Sequence, residues 1–236
     1  MHSDILPKRY CDELMRLRSE VAPMPFAEVE EVLYEAYHCP WQEIFSEIEK
    51  TPIGSASIAQ VHRARLETGE PVVIKIQRKG IYEVMARDIG LLHRAVKLLP
   101  PVSIKDMVDL DMVLDELWDV AREEMNFLTE AANMKEFAQR NKEVAFVGVP
   151  KLYDEYTNHA VLVMEQIDGC SIDDKQWLLE QGYDLEEIGM KLVDHYIKQV
   201  MDDGFFHADP HPGNVKVRDG KIIWIDMGTV SYTHLR

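Results

Sequence analysis

The sequence predicts an α+β fold that is divided into two lobes. Several observations lead to this prediction. Residues 58–76 combine alternating and β-branched residues, which is typical of a β-hairpin, and residues 104–140 follow with apolar residues at helical spacing. The apolar strand predicted at residues 160–165 runs into a polar connector with a glycine, and a second hairpin is predicted at residues 215–225. A chain of 236 residues is long enough to bury one large core or two smaller ones.

The composition excludes several classes of protein. Hydrophobic residues make up 46% and charged residues 29% of the chain, which is typical of a soluble globular protein. The net charge of −16 argues against a nucleic-acid-binding surface. Cys11, Cys39 and Cys170 are scattered without a Cys-x-x-Cys pair, which favours free thiols in a reducing compartment. The chain has no apolar run of membrane-spanning length and no signal peptide, so we expect a cytoplasmic protein.

Residues 1–50 are predicted to form a helical N-terminal extension. Apolar residues recur at helical spacing over residues 8–19 and 26–36, and a proline-rich break separates the two segments. A third, shorter helix is predicted over residues 40–47. The many acidic residues of these helices are interpreted as a solvated face.

A run of small residues directly precedes the first predicted hairpin. Small side chains allow backbone N–H groups to approach an anion closely, so this run is a candidate nucleotide loop. Its members are Ile53, Gly54, Ser55, Ala56 and Ser57. The run does not have the spacing of the usual glycine-rich phosphate loops, and an ordinary connecting loop would explain it equally well.

Lys75 is an isolated cation within the apolar second strand of this hairpin. A lysine on an edge strand is usually solvent-exposed, but a strand lysine that follows a small-residue loop is also typical of contact with nucleotide phosphates. Such a lysine needs a glutamate partner that orients it. Glu130 is the candidate partner, because the adjacent Ala131 and Ala132 permit close packing of their helix on the sheet. The other acidic residues nearby are interpreted as a solvated helix face.

The middle of the chain is predicted to be β-structure again. One strand is predicted over residues 149–156 and a second over residues 160–165. The connector at residues 166–169 has the polar, glycine-containing character of a hinge between two lobes. Backbone groups near Glu165 and Ile167 would be free to meet an adenine there. The alternative is an ordinary hairpin end.

The residues that carry the predicted chemistry lie near the end of the chain. A helix predicted over residues 185–203 stops at Gly204, and Asp209 then precedes Asn214 by five positions. The second predicted hairpin leads directly into Asp226, which begins an Asp-Met-Gly sequence. Phosphoryl transfer needs one carboxylate to orient the attacking hydroxyl, and an amide oxygen with a second carboxylate to hold Mg²⁺. Asp209 is the candidate for the first role, and Asn214 and Asp226 are the candidates for the second.

Two other interpretations of this segment remain open. Asp-Pro and Pro-Gly-Asn are ordinary turn sequences. His207, Asp209 and His211 also alternate, as metal ligands on an extended strand would. Two prolines interrupt that strand, whereas the upstream loop, lysine and glutamate occur in the order that a nucleotide site requires. We therefore predict phosphoryl transfer rather than metal-dependent hydrolysis.

Taken together, these motifs resemble the UbiB family of atypical protein kinases, which is linked to ubiquinone (coenzyme Q) biosynthesis. The resemblance covers nearly the whole chain and is carried by residues 53–62, 72–77, 123–133, 161–169, 207–214 and 225–228. It implies a two-lobed, protein-kinase-like fold and an atypical kinase or ATPase that uses ATP and Mg²⁺. The partners it implies are a nucleotide and a lipid or quinone precursor, or a biosynthetic complex. It also implies membrane association in a longer parent protein.

The resemblance assigns roles to individual residues. Lys75 and Glu130 would form the ion pair that orients the nucleotide. Asp209 would be the aspartate of the catalytic loop, and Asn214 and Asp226 would ligate Mg²⁺.

The chain departs from the family pattern at its C-terminal tail and at three other places. The Lys-x-Gly-Gln segment that normally precedes residues 4–7 is missing. Within the small-residue loop, which matches the family's alanine-rich nucleotide loop, Gly54 stands where the family often has alanine. The family's Glu-x-Asp motif lies over the substrate channel and is matched here by Glu124, but its aspartate position is occupied by Asn126.

The expected domain organisation follows from these matches. Residues 1–50 form the helical extension, residues 51–168 a kinase-like N-lobe with a long helical insert, and residues 169–230 a partial C-lobe. Residues 231–236 form an atypical tail that does not resemble the family's continuation, so we expect a truncated C-lobe. Two alternative functions stay open. One is a small-molecule phosphotransferase of the aminoglycoside or choline kinase type, whose catalytic loop is similar, and the other is a non-catalytic nucleotide-binding scaffold protein.

Overall fold

A five-stranded antiparallel sheet forms the basis of the N-terminal lobe. The computed structural model describes residues 21–98 and 109–232 of the chain. The central strands lie in the order β1 (Phe45–Ile48), β3 (Ala59–Leu66), β4 (Pro71–Gln77) and β6 (Val161–Glu165), and the short β2 (Gly54–Ser55) pairs with β3. The hairpin predicted at residues 58–76 is confirmed by the continuous pairing of β3 with β4.

The core of this lobe lies between the sheet and helix α1 (Phe26–Tyr37). The side chains of a strand alternate between its two faces, so β4 divides its residues between two environments. Val72, Ile74 and Ile76 are completely buried against the α1 side. Val73 and Lys75 consequently lie on the other face of the strand, which is directed towards the second lobe.

Three longer helices follow the first hairpin: α2 (Ile81–Leu98), α3 (Leu110–Glu124) and α4 (Phe127–Arg140). The helical region predicted at residues 104–140 is therefore two helices, and its first residues, up to 108, lie outside the described part. Asn126 breaks the region because its backbone is extended and its Oδ1 caps α4 by accepting a hydrogen bond from the Leu128 N–H. Helix α2 was not predicted, and it packs chiefly against α3.

The second lobe combines two small sheets with helices α5 (Lys175–Glu180) and α6 (Leu185–Lys198). Its four-stranded sheet has the order β5 (Val147–Gly148), β10 (Lys221–Trp224), β9 (Val215–Arg218) and β7 (Cys170–Ser171), and β8 (Phe205–His207) pairs with β11 (Val230–Tyr232). The predicted helix over residues 185–203 is confirmed, although its last turn, Gln199–Asp203, is a π-helix. Gly204 ends it in the left-handed region, with a φ of 62°. The predicted hairpin over residues 215–225 is confirmed as β9 and β10.

Two predicted elements were wrong. Residues 40–47 form a single 3₁₀ turn (Trp41–Glu43) followed by β1 instead of a helix, because Phe45 is fully buried in the core and its strand pairs with β3. Residues 149–156 do not form a strand. They follow the two-residue β5 and contain one isolated bridge at Leu152 and a 3₁₀ turn (Asp154–Tyr156), and Pro150 supplies no N–H to a sheet ladder.

The described residues contain two hydrophobic cores. The first lies between α1 and the five-stranded sheet. The second surrounds the fully buried Trp224 and includes residues of α4, β8 and β10. The boundaries drawn at residues 50, 168 and 230 stay predictions. The helix predicted at residues 8–19 lies outside the described residues, as do residues 233–236 of the predicted tail.

Candidate functional site

Lys75 contacts two carboxylates where the two lobes meet. Its Nζ lies 2.8 Å from Oε2 of Glu130 and 3.2 Å from Oδ1 of Asp226. Lys75 comes from β4, Glu130 from the first turn of α4, and Asp226 from the turn that follows β10. The side chain of Glu130 is 4% exposed, whereas that of Asp226 is 48% exposed. One carboxylate therefore holds the cation from the protein interior and the other from the solvent side.

The electrostatics of this cluster follow from two carboxylates that share one ammonium group. Burial alone would lower the pKa of Lys75, but Glu130 and Asp226 outweigh it and raise that pKa above its ordinary value. Burial raises the pKa of Glu130, and Asp226 adds to this effect while Lys75 opposes it. Burial would also raise the pKa of Asp226, but Lys75 and the Gly228 N–H hold it below its ordinary value. The exposed carboxylate is thus the one that stays ionised most easily.

Asp226 is presented by a tight turn. Its φ is 60°, a left-handed conformation that aspartate adopts more readily than most non-glycine residues. Its Oδ1 accepts a hydrogen bond from the Gly228 N–H at 3.3 Å. A Cβ at residue 228 would lie 3.2 Å from this same oxygen and 3.5 Å from Oε2 of Glu130. Helix α4 fixes the turn as well, because Nδ2 of Asn133 donates to the carbonyl of Met227 at 3.0 Å.

The loop between β8 and β9 carries Asp209 and Asn214. The Asn214 Nδ2 donates to the Asp209 carbonyl at 3.1 Å and approaches its Oδ2 at 3.4 Å. The Ile225 N–H donates to the Asn214 carbonyl at 2.9 Å, and Ile225 directly precedes Asp226. Hydrogen bonds therefore connect Asn214 directly to Asp209, and to Asp226 only through the backbone of the preceding residue, Ile225.

The two histidines of this loop do not form a metal site with Asp209. His207 is completely buried, and its Nδ1 accepts a hydrogen bond from the Asp209 N–H at 3.2 Å. Its other ring nitrogen, Nε2, therefore carries the proton and donates to the Ile225 carbonyl at 3.2 Å. The Nδ1 of His211 accepts from the Gly213 N–H. Within residues 21–98 and 109–232, no group of three or more His, Cys, Asp and Glu side chains is placed to hold a metal ion.

Two adjoining cavities meet at the Lys75 cluster. The first has a volume of about 370 Å³, and most of its exposed lining is apolar. Its lining comprises Ile53, Gly54, Val61, Val73, Lys75, Glu130, Pro150, Met164, Glu165, Ile167, Gly213, Asn214, Lys216, Ile225 and Asp226. The second has a volume of about 360 Å³ and is lined by Gly54, Ser55, Ala56, Ser57, Ile58, Ala59, Val61, Lys75, Glu124, Phe127, Glu130, Asp209, Asp226, Gly228 and Thr229. Both volumes lie in the range of small-molecule sites.

The small-residue loop predicted at residues 53–57 borders both cavities. It is a tight hairpin in which Gly54 pairs with Val61 and Ser55 with Gln60. Arg78 anchors the loop, because its Nη2 donates to Ser55 Oγ and its Nε to the Ala56 carbonyl, both at 2.7 Å. A Cβ at position 54 would meet nothing within 4 Å, so the glycine at this position leaves the space above the loop open.

The predicted hinge, residues 166–169, and the adjoining Glu165 contact β9 of the second lobe. Glu165 Oε1 accepts a hydrogen bond from Arg218 of β9 at 2.6 Å, and the carbonyl of Ile167 accepts one from Lys216 at 3.2 Å. Gly169 lies so close to β9 that a Cβ would approach the Val217 carbonyl to 2.8 Å. The connector therefore requires glycine there, and Glu165 and Ile167 both line the first cavity.

Glu124 and Asn126 have different positions. Glu124 is exposed and lines the second cavity together with Asp209. Asn126 is not among the lining residues of either cavity and instead caps α4, with its Oδ1 3.2 Å from the Leu128 nitrogen. Because Asn and Asp are equally good at this capping position, the departure from Glu-x-Asp preserves the local structure.

Sequence reasoning missed the apolar lining of the first cavity. Val61 and Val73 lie on the same side of the sheet as Lys75, and Met164 and Ile225 close the cavity from β6 and the C-terminal lobe. The strand alternation around Lys75 contained the signal for Val73, since residues two positions apart share a face. The contributions of Met164 and Ile225 depend on how the lobes meet and have no local signal.

No helix within the described residues is both long and apolar enough to cross a membrane.

Several known proteins that resemble this chain have kinase names or descriptions. The family described as the ABC1 atypical kinase-like domain matches residues 16–235. The protein ACTIVITY OF BC1 COMPLEX KINASE 8, chloroplastic, from Arabidopsis thaliana is 37% identical over 95% of this chain and 30% of its own length. The probable protein kinase UbiB from Marinobacter nauticus is 34% identical over 96% of this chain and 43% of its own length. The chain thus spans less than half the length of these curated relatives.

Solved structures give the same result. The structure titled as the complex of Rv3197 with erythromycin from Mycobacterium tuberculosis matches with a TM-score of 0.72 and 30% sequence identity. The match covers 98% of this chain and 58% of the Rv3197 chain. The Rio2 kinase–ADP/Mg²⁺–phosphoaspartate complex from Chaetomium thermophilum has a TM-score of 0.52 over 86% of this chain and 54% of that one. At 16% identity, the second likeness shows the fold alone. The two-lobed, protein-kinase-like fold is therefore confirmed, and the chain belongs to the family of ABC1 atypical kinase-like domains.

Proposed function

We propose that this chain binds Mg-ATP between its lobes and acts as an atypical kinase or ATPase. The observation that carries the proposal is the position of Lys75, which contacts Glu130 and Asp226 where the two cavities meet. A lysine held by a helix glutamate is the arrangement that orients nucleotide phosphates in kinases. A nucleotide-phosphate site accounts for the largely buried ammonium group, the exposed carboxylate and the small-residue loop that border one cleft.

The two cavities suggest how a nucleotide would lie. The first cavity offers an apolar space for the base between Val61, Val73 and Ile225, beside the hinge residues Glu165 and Ile167. The second cavity is lined by residues 54–57 together with Lys75, so phosphates there would lie beside the loop backbone and a positive charge. In this arrangement the terminal phosphate points towards Asp209.

Asn214 and Asp226 are the residues proposed to hold Mg²⁺. Their amide and carboxylate oxygens are ligands that Mg²⁺ prefers, and the Asp226 side chain is 48% exposed at the cavity. A bound Mg²⁺ would neutralise charge on the phosphates. The protein supplies the remaining functions: Lys75 orients the phosphates, and Asp209 accepts or orients the proton of the attacking hydroxyl group or water.

A role in isoprenoid quinone biosynthesis is the finer part of the proposal. It is supported by the similarity to a protein named UbiB and by the resemblance of the motifs, and it makes a lipid or quinone precursor, or a biosynthetic complex, the expected partner. Family membership favours this role over an aminoglycoside or choline kinase. We also propose a cytoplasmic location for this chain, with membrane association as a property of a longer parent protein.

A thermal-shift titration with Mg-ATP tests nucleotide binding. A ligand at 100 times its Kd stabilises the folded state by about 2.7 kcal/mol, which corresponds to roughly 5–10 °C for a chain of this size. Wild type should show this shift, and Lys75→Ala and Asp226→Asn should lose most of it. Asp219→Asn is the matched control, because Asp219 also has a left-handed backbone (φ 52°) but lies in the β9–β10 turn, away from both cavities.

ATP turnover then separates catalysis from binding. Asp209→Asn should keep the thermal shift but lose turnover. If wild type binds Mg-ATP without any turnover, and Asp209→Asn changes nothing, the non-catalytic scaffold alternative is correct. The absence of any Mg-ATP shift in wild type would contradict the proposal for this chain.

A further inference from the structure

A completely buried histidine outside the two cavities makes three hydrogen bonds to three different elements. His195 lies in α6 and is 1% exposed. Its Nε2 is 2.8 Å from Oδ1 of Asn141, and its Nδ1 is 2.9 Å from Nε1 of Trp224 and 3.1 Å from Nε2 of Gln199. All three partners are buried as well.

The chemistry of the partners fixes the protonation of the ring. The indole N–H of Trp224 can only donate, so Nδ1 of His195 must be the unprotonated nitrogen. Nε2 then carries the proton and donates to Oδ1 of Asn141, whose Nδ2 in turn donates to the Phe137 carbonyl at 2.9 Å. Every polar atom around the ring has a partner in this one arrangement. A fully satisfied buried network of this kind specifies a unique local structure.

Each partner leads to one of the acidic residues of the site. Asn141 ends α4, the helix that carries Glu130. Trp224 ends β10, two residues before Asp226. Gln199 leads to Asp209, because its side-chain oxygen contacts the backbone of His207.

The third connection runs through Gln199 to the catalytic loop. Its Oε1 accepts a hydrogen bond from the His207 N–H at 3.0 Å, and the His207 ring accepts from the Asp209 N–H at 3.2 Å. Gln199 begins the π-helical turn of residues 199–203, and such turns occur frequently at functional sites. The side chain of one glutamine thus joins His195 to the backbone that leads to Asp209.

We propose that His195 is a positioning residue that holds the elements of Glu130, Asp209 and Asp226 in register. The proposal rests on the proposed function for its catalytic consequence. His195 contacts neither cavity and does no chemistry itself. Its Nδ1 accepts from Trp224 and Gln199, and its Nε2 donates to Asn141. Loss of one of these hydrogen bonds should displace the acidic residue to which that partner leads.

The proposal predicts different defects for different contacts. Gln199→Met keeps the volume of the side chain but leaves the His207 N–H without an acceptor, so Asp209 should be misplaced. Turnover should fall by at least about tenfold, since a 1 Å displacement can cost on the order of 10²-fold, while the Mg-ATP thermal shift remains. Trp224→Phe removes the donor beside Asp226 and should instead raise the Mg²⁺ concentration for half-maximal activity severalfold.

A matched control distinguishes positioning from simple stabilisation. Ile188 is buried in the same helix and has no polar contact with the network, so Ile188→Ala should lower the melting temperature without changing kcat or the Mg²⁺ requirement. If Gln199→Met and Trp224→Phe behave like this control, the network is only structural and the proposal is wrong.

Gln199→Glu provides a second test that keeps the acceptor for His207. The introduced carboxylate needs a donor on its other oxygen, so His195 should take up a proton at Nδ1 and Trp224 should lose its acceptor. Gln199→Glu should therefore keep turnover close to that of wild type and raise the Mg²⁺ concentration that half-maximal activity requires. A loss of turnover as large as that of Gln199→Met, with an unchanged Mg²⁺ requirement, would contradict the assignment.

Hydrogen exchange separates failure of this inference from failure of the proposed function. Measured by mass spectrometry without nucleotide, Gln199→Met should accelerate exchange in residues 205–214 more than in residues 222–228, and Trp224→Phe should do the reverse. This pattern would support the positioning role even if wild type proved unable to bind ATP. Equal acceleration in both segments would refute it whether or not the protein is active.

Discussion

The Lys75 ammonium nitrogen lies 2.8 Å from a carboxylate oxygen of Glu130, 55 positions further along the chain. The contact joins β4 of the N-terminal lobe to α4, and both side chains are largely buried. The second oxygen of Glu130 is buried and has no hydrogen-bond partner within the described residues. Glu130 therefore depends on Lys75 for compensation of its charge.

Lys75→Met should strongly destabilise the fold. It leaves the Glu130 carboxylate buried and unpaired, and removing one partner of a buried ion pair costs about 3–5 kcal/mol. Adding Glu130→Gln to the same chain should recover part of this loss, because the charge that lacked a partner is then gone. Urea denaturation of the two single variants and the double variant gives the coupling free energy.

The exposed pair of Lys135 and Asp154 serves as the control for this cycle. Its atoms are 2.6 Å apart, but the two side chains are 56% and 59% exposed. Lys135→Met should therefore change stability by less than about 1 kcal/mol. If Lys75→Met were as mild as this control, burial would not be the cause of the interaction at Lys75.

Much of this pair could be predicted from local sequence. Lys75 interrupts an alternating β-branched strand, and Glu130 precedes two alanines in an amphipathic helix, so each carries a signal within its own element. Strand β1 carries no such signal. Ile44, Phe45 and Ile48 have the spacing of one helix face, whereas a regular strand would place Phe45 and Ile48 on opposite faces. Both are buried because the pairing of β1 with β3, about twenty residues away, is irregular between Phe45 and Glu47.

The positioning network illustrates a second limit of sequence reasoning. Asn141 and Trp224 come from elements far from the helix of His195 and Gln199, and nothing in the spacing of a His and a Gln one helical turn apart reveals that both are buried. Helix α2 is a different case, because its apolar residues recur at helical spacing and it could have been predicted from local sequence; they include Ile81, Met85, Ile89, Leu92 and Val96. For the network residues, only tertiary contacts decide burial and partners.

Gly228→Ala should weaken Mg-ATP binding. The added Cβ would lie 3.2 Å from Asp226 Oδ1 and 3.5 Å from Glu130 Oε2, so the two carboxylates would have to move apart around Lys75. We expect the Kd for Mg-ATP, measured by calorimetry, to rise by at least about tenfold, or about 1.4 kcal/mol. Gly189→Ala is the matched control. Its Cβ would meet nothing within 4 Å in α6, and the change should stabilise the fold by about 0.5–1 kcal/mol. Equal affinity in both variants would contradict the role given to Gly228.

Asn126 should be replaceable by aspartate but not by alanine. Its Oδ1 accepts the hydrogen bond that caps α4, and a carboxylate oxygen can accept the same bond. Asn126→Asp should therefore leave the melting temperature unchanged or slightly raised, whereas Asn126→Ala should cost about 1 kcal/mol. The melting temperatures of both variants, measured by thermal denaturation, would test this. Asn158→Asp is the control, because it makes the same exchange at a residue outside α4. A destabilised Asn126→Asp would show that the side chain has a role other than capping.

Stability should fall as the pH falls from about 6.5 to about 4, and His195 should account for a large share of the fall. Burial, and to a smaller extent Lys198, lowers the pKa of His195 from 6.5 to about 4, while Asp203 opposes the change. As the pH falls, His195 of the unfolded chain binds a proton near pH 6.5, whereas His195 of the folded chain binds one only near pH 4. Stability from this group is complete above pH 6.5 and is lost as the pH approaches 4, by roughly 3 kcal/mol in total.

His195→Gln isolates this contribution, because glutamine does not titrate. The difference in unfolding free energy between wild type and the variant, measured by urea denaturation, should shrink steadily from pH 7 to pH 4. Burial also lowers the pKa of His62, so part of the acid sensitivity of wild type should persist in the variant. His159→Gln, which replaces an exposed ring, should leave the slope unchanged. Parallel pH profiles for wild type and His195→Gln would mean that His195 takes up its proton as readily in the folded chain as in the unfolded one. A ring that accepts a hydrogen bond from Trp224 at Nδ1 should resist that proton, so this result would contradict the assignment.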